Sequence, residues 1–192
     1  MEHSGVVFIC NLAIFSTSDE RLVKSILNSK NKKAMVKIVI TNLPNSPVIE
    51  AAKRCNAEYK CFDHREYPDR ISHEKDIVRY LLHKKIGIII FAHYMRLVTK
   101  YFINRFRGKI INVHPSLLPH FKGINPVKEA YEAGISESGC TLHYVNDGLD
   151  TGKIILQKEV PRLENDSFNS FRNRVHDAEC ESVRIVLESL VV

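Results

Sequence analysis

Two polar residues that could take part in acyl transfer lie at the end of a predicted strand. The apolar run before Asn112 is typical of a short buried strand, and Pro115 and Pro119 prevent both a longer strand and a helix after it. Because residues two apart on a strand point to the same side of the sheet, Asn112 and His114 would lie next to each other. They would combine an amide donor with a group that titrates near neutral pH. Asp150, in a later turn-forming run, is a third candidate.

Each of these three residues also has a simpler structural interpretation. Asn112 could cap the strand end through backbone hydrogen bonds, His114 could be a half-buried packing residue, and Asp150 is of a type common in turns. Two further histidines are His120, in the loop after the strand, and His143, within another predicted strand. We expect packing or pocket-rim roles for both.

Composition limits the class of protein. The 192 residues, 44% of them hydrophobic, are enough for one domain with a full core. The net charge of +6 and the pI near 9.1 are consistent with anionic small-molecule substrates. The basic residues are scattered without interleaved aromatic residues, so nucleic-acid binding is not expected. We also expect no metal, because the nine histidines form no obvious ligand cluster.

Cysteine usage and the N-terminal run predict a cytoplasmic protein. The five cysteines are odd in number and widely spaced, with no C-x-x-C pair, which argues against a disulfide framework or a zinc ribbon. The apolar run over residues 6–15 lacks the basic segment and cleavage site of a signal peptide and is too short to span a bilayer. We expect a first buried strand there and no membrane partner. Either a monomer or a homodimer is compatible with the sequence.

Alternating strands and helices must position the candidate residues. Apolar runs predict strands over residues 6–15, 35–40, 57–62, 87–91, 109–113, 140–145 and 153–160. Amphipathic stretches predict helices that begin near residues 18, 48, 72, 98, 125 and 167. This alternation indicates an α/β fold with an open, mostly parallel Rossmann-like sheet, helices on both faces, and ligands beyond the carboxyl ends of the strands. The last two strands should form an antiparallel extension near the C-terminus.

Three details of the helices are also predicted. Ser18 is expected to be the N-cap of the first helix. Gly134 should end the helix that begins near Asn125. The helix that begins near residue 72 should bury one apolar face, which consists of Ile77, Val78, Leu81 and Leu82.

Longer motifs around the candidate residues resemble the folate-dependent formyltransferases. The most specific are the octapeptide N-V-H-P-S-L-L-P that begins at Asn112, the G-L-D-T-G run around Asp150, and the 36-residue spacing from His114 to Asp150. The strand from Gly139 to Val145 between them also matches. The similarity extends from about residue 36 to the C-terminus. Within the family it is closest to the branch that formylates glycinamide ribonucleotide in purine biosynthesis.

The resemblance implies roles for individual residues. It implies that Asn112, His114 and Asp150 are catalytic. A larger group would form the pocket for the formyl-folate: Arg70, Met95, Arg96, Leu97, Val98, Asn112, Val145 and Asp147. The acceptor substrate would be contacted by a third group: Ser16, Thr17, Ser18 and Glu179. The single domain over residues 1–192 would divide into a nucleotide-binding-like half, 1–107, and a catalytic and folate-binding half, 108–192.

The implied reaction transfers a formyl group from the co-substrate 10-formyltetrahydrofolate to an amine. An oxyanion develops when the amine attacks the formyl carbon, and a side-chain donor such as Asn112 typically lowers the barrier by about 2.7–4 kcal/mol. His114 would act as general acid or base. Asp150 would favour the imidazolium form of His114 and hold an ordered water for the proton relay.

The loop after the first strand departs from the family pattern. The family carries a glycine- and serine-rich loop that holds the substrate phosphate with backbone N–H groups. Residues 15–21 of this chain contain no glycine, and Asp19 and Glu20 place negative charge in the first helical turn. Three functions therefore stay open: formylation of glycinamide ribonucleotide, formylation of another amine such as a nucleotide-linked amino sugar, and a non-catalytic binding role on this fold.

Overall fold

The computed structural model describes residues 10–29 and 34–189 of the chain. The strands in chain order are β1 (Cys10–Phe15), β2 (Ala34–Thr41), β3 (Tyr59–Cys61), β4 (Ile88–Ala92), β5 (Ile110–His114), β6 (Glu137–Tyr144) and β7 (Ile154–Pro161). The α-helices are α1 (Glu20–Leu27), α2 (Pro47–Arg54), α3 (Arg70–His83), α4 (Lys100–Arg105), α5 (Pro126–Glu132) and α6 (Phe168–Ser189). Every predicted strand and helix is present. Residues 6–9 of the first predicted strand and residue 190 of the last helix lie outside the described residues.

The seven strands form one sheet in the order β3-β2-β1-β4-β5-β6-β7. The pairs from β3 to β5 are parallel, and β6 and β7 pair in the antiparallel direction. The strand order reverses between β1 and β4, and a ligand site is expected beyond the carboxyl ends of the strands at such a position. The predicted α/β class, the mostly parallel sheet and the antiparallel extension are confirmed.

Alternate residues of β1 show why the sheet is buried on both faces. Leu12 and Ile14 belong to one hydrophobic cluster, together with buried residues of α1, α2 and α6. Ala13 and Phe15 belong to a second cluster with α3 and α4 on the other face. Because both faces are covered, the central strands consist of continuous apolar runs rather than alternating ones.

Two predicted helix starts differ from the structure. The N-cap of α1 is Asp19 rather than Ser18, and its carboxylate accepts a hydrogen bond from the N–H of Leu22 at 2.9 Å. A carboxylate is favoured over a hydroxyl at this position because the N-terminal end of a helix attracts negative charge. α3 begins at Arg70, because Asp69 caps it by accepting from the N–H of Ser72 at 2.8 Å.

One predicted core residue of α3 is wrong, and the predicted end of α5 is confirmed. Leu82 is 44% exposed, although Ile77 and Leu81 are buried. Leu82 lies about 100° around the helix from Leu81, at the edge of the apolar face. Gly134 follows α5 with a φ of +68°, the left-handed conformation that ends helices.

Candidate active site

The strand β5, the end of β6 and the loop before β7 bring four polar residues together. Asn112 and His114 lie on β5, and the antiparallel pairing with β6 places Asn112 opposite His143. Asp150 lies in the loop between β6 and β7. We call Asn112, His114, His143 and Asp150 the central cluster. The structure thus brings together the three residues that the sequence predicted to act jointly, and adds a fourth.

The Asp150 carboxylate is the centre of this cluster. One oxygen, Oδ2, lies 3.7 Å from Nδ1 of His114 and accepts the N–H of Gly123 at 3.3 Å. The other, Oδ1, lies 3.5 Å from the amide nitrogen of Asn112 and 3.6 Å from Nε2 of His143. The side chain is 9% exposed. Its φ of +49° is a left-handed conformation that aspartate tolerates better than most residues.

Hydrogen bonding decides which ring nitrogen of His114 can accept a proton. Nε2 lies 2.9 Å from the carbonyl oxygen of Phe121, so it carries the hydrogen and donates. Nδ1 is therefore the basic atom, and it faces Asp150. Burial lowers the pKa of His114, and this effect outweighs the Phe121 carbonyl and the Asp150 carboxylate, which raise it. Asp150 thus favours the imidazolium, but burial has the larger effect and favours the neutral ring.

Asp150 itself is ionised. Burial would raise the pKa of its carboxyl group, but the contacts with His143, His114 and the N–H of Gly123 outweigh burial, and the pKa lies below its ordinary value. A neutral imidazole next to an ionised carboxylate is a suitable arrangement for general base catalysis. The carboxylate would stabilise the imidazolium as soon as it forms.

His143 has a more central position than the packing or rim role predicted from the sequence. Its Nδ1 donates to the carbonyl of Tyr144 at 2.9 Å, which leaves Nε2 as an acceptor for the Asn112 amide at 3.2 Å. His143 and Asp150 together therefore hold the amide N–H₂ group toward the cluster. Opposite residues on antiparallel strands are close neighbours, but their register is not evident from the sequence. His120 lies in the exposed loop, as predicted.

Four of the residues predicted to contact the folate line one pocket. Arg70, Arg96, Leu97 and Val98 line a narrow cavity between α3 and α4 with a volume of about 10 Å³, room for one water molecule. The remaining walls are mostly aromatic and apolar, and they are formed by Phe15, His73, Glu74, Ile77, Tyr94 and Phe102. The two guanidinium groups can bind an anionic group, but the cavity in this structure is too small to enclose a flat ring system.

The other residues predicted to contact the folate lie outside that pocket. Met95 is 53% exposed, and its backbone N–H donates to the hydroxyl of Thr17 at 2.9 Å. Val145 packs against the cluster of apolar residues that α3 and α4 cover. Asp147 is exposed, with a carboxylate oxygen 3.7 Å from the guanidinium of Arg107.

Two hydroxyl groups of the loop after β1 form hydrogen bonds within the protein. The Ser16 hydroxyl accepts the N–H of Asp19 at 3.2 Å. The Thr17 hydroxyl donates to the side-chain oxygen of Asn42 at 2.8 Å, and both residues are buried. Ser18 is exposed. The predicted acceptor-binding residues of this loop therefore lie at the carboxyl edge of the sheet, but only Ser18 presents its side chain to solvent.

A second polar group at this edge was not predicted as a unit. His93, which directly follows β4, lies with Nδ1 2.8 Å from a carboxylate oxygen of Asp19 and with Nε2 2.7 Å from Glu179. His176 on α6 lies 2.7 Å from the same Asp19 oxygen. We call Asp19, His93, His176 and Glu179 the histidine–carboxylate network. His176 and Glu179 are three residues apart in the sequence, a spacing that places both on one face of a helix. This half of the network could therefore have been predicted.

The network is charged at neutral pH. Burial opposes a charge on His93, but the Glu179 and Asp19 carboxylates outweigh burial and raise the pKa of His93 to about 10. The pKa of His176 is raised to about 9, against burial, mainly by its hydrogen bond to Asp19. The same two histidines hold the pKa of Asp19 well below its usual range, although burial acts in the opposite direction. Two imidazolium ions thus alternate with carboxylates.

These pKa values predict a pH dependence of stability. Both histidines have folded-state pKa values above the ordinary 6.5, so their contribution to stability is fully present below pH 6.5 and is lost as the pH rises through 9 to 10. We expect the free energy of unfolding, measured by urea denaturation, to fall by on the order of a few kcal/mol over that range. His93→Asn should flatten the decline, and His83→Asn, on the exposed end of α3, should not. Equal slopes for all three proteins would contradict this assignment.

Two further properties concern metals and membranes. In the described part of the chain, no group of three or more histidine, cysteine, aspartate and glutamate residues is arranged to hold a metal ion. Over the same ranges, none of the helices is long and apolar enough to cross a membrane. All five cysteines are free.

The sequence is similar to proteins of known function over nearly its whole length. Residues 10–187 match the family model for formyl transferase. The phosphoribosylglycinamide formyltransferase of Bacillus subtilis (strain 168) is 34% identical over 165 residues, which are 86% of this chain and 85% of that protein. The trifunctional purine biosynthetic protein adenosine-3 of Drosophila pseudoobscura pseudoobscura is 38% identical over 146 residues, 76% of this chain and 11% of that protein. This chain spans about a tenth of such trifunctional proteins.

The structure is also similar to solved structures. It matches glycinamide ribonucleotide transformylase 1 from Geobacillus kaustophilus with a TM-score of 0.92 and 35% identity, over 96% of this chain and 100% of that one. Phosphoribosylglycinamide formyltransferase from Streptococcus pneumoniae TIGR4 matches with a TM-score of 0.90 and 29% identity, over 94% of this chain and 98% of that one. The similarity therefore includes the strands and loops that carry the central cluster.

Proposed function

This chain belongs to the formyl transferase family, and we propose on that basis that it transfers a formyl group from 10-formyltetrahydrofolate to the amine of glycinamide ribonucleotide, a step of de novo purine biosynthesis. The observation that carries the proposal is the central cluster, in which Asn112, His114 and Asp150 converge at the carboxyl edge of the sheet. Similarity to phosphoribosylglycinamide formyltransferases favours this acceptor over an amino sugar.

The reaction requires a proton to move between two nitrogens. The acceptor amine forms a bond to the formyl carbon, and the bond from that carbon to the folate nitrogen breaks. The amine loses a proton, and the folate nitrogen gains one. In the proposed mechanism His114 carries this proton on Nδ1, because Nε2 is held by the carbonyl of Phe121 at 2.9 Å.

Asp150 and Asn112 stabilise the charges that form during the transfer. The Asp150 carboxylate, 3.7 Å from Nδ1, stabilises the imidazolium, and an ordered water can bridge a gap of this length. In the proposed mechanism the Asn112 amide donates to the oxyanion of the tetrahedral intermediate with the hydrogen that makes the long 3.5 Å contact with Asp150, while the 3.2 Å contact with His143 holds the other hydrogen. No group of the protein needs to form a covalent bond to the formyl carbon.

The proposed binding sites extend to both sides of the central cluster. The folate would bind on the side of Arg70 and Arg96, whose guanidinium groups suit its acidic tail, and Met95, Val145 and Asp147 stay proposed folate contacts. Ser16, Thr17, Ser18 and Glu179 stay proposed acceptor residues. We propose these two small molecules as the partners, without nucleic acid or membrane, and a cytoplasmic location for a monomer or homodimer.

A direct assay tests the proposal. The purified protein is mixed with 10-formyltetrahydrofolate and glycinamide ribonucleotide, and release of tetrahydrofolate and formation of the formamide are followed. Turnover with this amine is expected, and nucleotide-linked amino sugars should serve as poor acceptors. A protein that binds a folate analogue tightly but shows no turnover with glycinamide ribonucleotide would refute the assigned acceptor.

A further inference from the structure

The backbone of the loop after β1 has little capacity left to bind an anion. In the loop the N–H groups of Ser16, Thr17 and Asp19 donate to acceptors within the protein, and at the start of α1 those of Glu20 and Leu22 do so too, all at 2.9–3.2 Å. The loop contains no glycine that would let an oxyanion approach the backbone closely. A phosphate would also meet the negative charge of Asp19 at the start of α1. A phosphorylated acceptor therefore needs other partners at this edge.

Two imidazole rings of the histidine–carboxylate network offer such partners. Nδ1 of His93 and Nε2 of His176 converge on a single oxygen atom, Oδ2 of Asp19, at 2.8 and 2.7 Å. The rings come from different elements, the end of β4 and the middle of α6, and stand nearly perpendicular to each other. Two donors that converge on one anionic oxygen form an anion-binding site, and here the chain's own carboxylate fills it.

Burial distinguishes the fixed member of the network from the exchangeable one. Glu179 is 1% exposed and contacts Nε2 of His93, so it maintains the positive charge of that ring whatever occupies the other side. The side chains of Asp19 and His93 are 13% and 25% exposed, so this side of the network reaches the protein surface. An anion from solvent can therefore reach the Asp19 side of the network, whereas the Glu179 side is enclosed.

The position of the network relative to the central cluster suits one extended acceptor. β4 and β5 are paired, with Ala92 opposite Val113. His93 and His114 are the next residues after this pair, on neighbouring strands that are about 4.8 Å apart. An acceptor whose amine lies at His114 could thus reach His93 with its opposite end.

We infer that the Asp19 side chain rotates away from the two rings, and that His93 and His176 then bind the phosphate group of the acceptor where the Asp19 carboxylate lies in the structure. The inference rests on the proposed function, which supplies the phosphorylated acceptor. A phosphate carries about −1.5 to −2 charges near pH 7, against −1 for a carboxylate, so it interacts more strongly with two cationic rings. Recognition is thereby assigned to two side chains instead of a glycine-rich backbone loop.

Calorimetric titration at pH 7 tests the inference, with glycinamide ribonucleotide and inorganic phosphate as the probes. His93→Asn keeps a residue that tolerates the φ of +54° but removes the cation, and it should weaken ribonucleotide binding at least about tenfold. Asp19→Ser keeps an N-cap residue but removes the competing carboxylate, and it should tighten binding of both probes several-fold. His83→Asn, an exposed histidine on α3, should bind as the unaltered protein does.

The two substitutions should change the binding affinity in opposite directions, and this difference separates anion binding from a merely structural role. If the network only stabilised the fold, both Asp19→Ser and His93→Asn would weaken binding, and that result would overturn the inference. Unchanged ribonucleotide binding by His93→Asn would overturn it as well, even if the protein formylates glycinamide ribonucleotide. If both substitutions changed the ribonucleotide affinity in the expected directions but no formyl transfer occurred, the phosphate site would be supported and the proposed reaction would be refuted.

Discussion

Asp150→Asn is expected to reduce turnover of glycinamide ribonucleotide by about three orders of magnitude. The substitution removes the charge that stabilises the His114 imidazolium, while the amide can still accept the N–H of Gly123. The fold should therefore persist, and the loss should appear in kcat rather than in binding of the folate. Stopped-time assays of product formation measure the loss in kcat, and circular dichroism checks that the fold persists.

The titration of His114 gives a second readout of the same variant. The Asp150 carboxylate raises the pKa of His114, so Asp150→Asn should lower that pKa further below 6.5, as followed by NMR of the ring protons. Asp76→Asn, an ion-pair partner of Arg79 on α3, is the matched control and should change neither turnover nor the His114 titration. Turnover within tenfold of the unaltered protein would contradict the role assigned to Asp150.

Gly152→Ala is expected to be strongly destabilising. A Cβ at this position would lie 1.6 Å from the carbonyl oxygen of Tyr144, so β6 and the loop that carries Asp150 must separate. The free energy of unfolding should fall by at least about 3 kcal/mol, since overpacking against a backbone atom cannot be relieved by a rotamer change. Chemical denaturation measures this loss, and activity should fall with it because Asp150 moves.

Gly108→Ala is the matched control for that substitution. Gly108 has a φ of +72°, but no atom lies within 4 Å of the position of an added Cβ. Its replacement should therefore cost only about 1 kcal/mol, the penalty for a left-handed backbone conformation. Similar losses for the two alanine variants would show that the contact with Tyr144 is not the cause.

Local pattern was sufficient to predict the order of strands and helices. The run that became β4, Ile88–Ala92, is continuously apolar because helices cover both faces of the sheet, and it has no other stable location than the core. The central cluster could be predicted in part because Asn112 and His114 are two residues apart on one strand. That proximity is a property of the strand and needs no tertiary information.

The features that could not be predicted depend on distant partners. Ser18 and Asp19 are both good N-cap residues, and the choice of Asp19 is reinforced by His176, which lies 157 residues further along the chain. The position of His143 depends on the register between β5 and β6. The histidine–carboxylate network joins residues that follow β1 and β4 with two from α6, and no single segment of sequence carries that pattern.

The pairing of β5 with β6 has a consequence for divergence among related chains. The separation of Asn112 and His143 is set by backbone hydrogen bonds, and the turn at residues 133–136 between α5 and β6 has no part in it. Insertions in such a turn reduce stability little, because doubling the length of a flexible loop raises the free energy of closing it by only about 0.6 kcal/mol. The 36-residue spacing from His114 to Asp150 is therefore not required by the geometry of the central cluster, and relatives with a longer turn could retain the same chemistry.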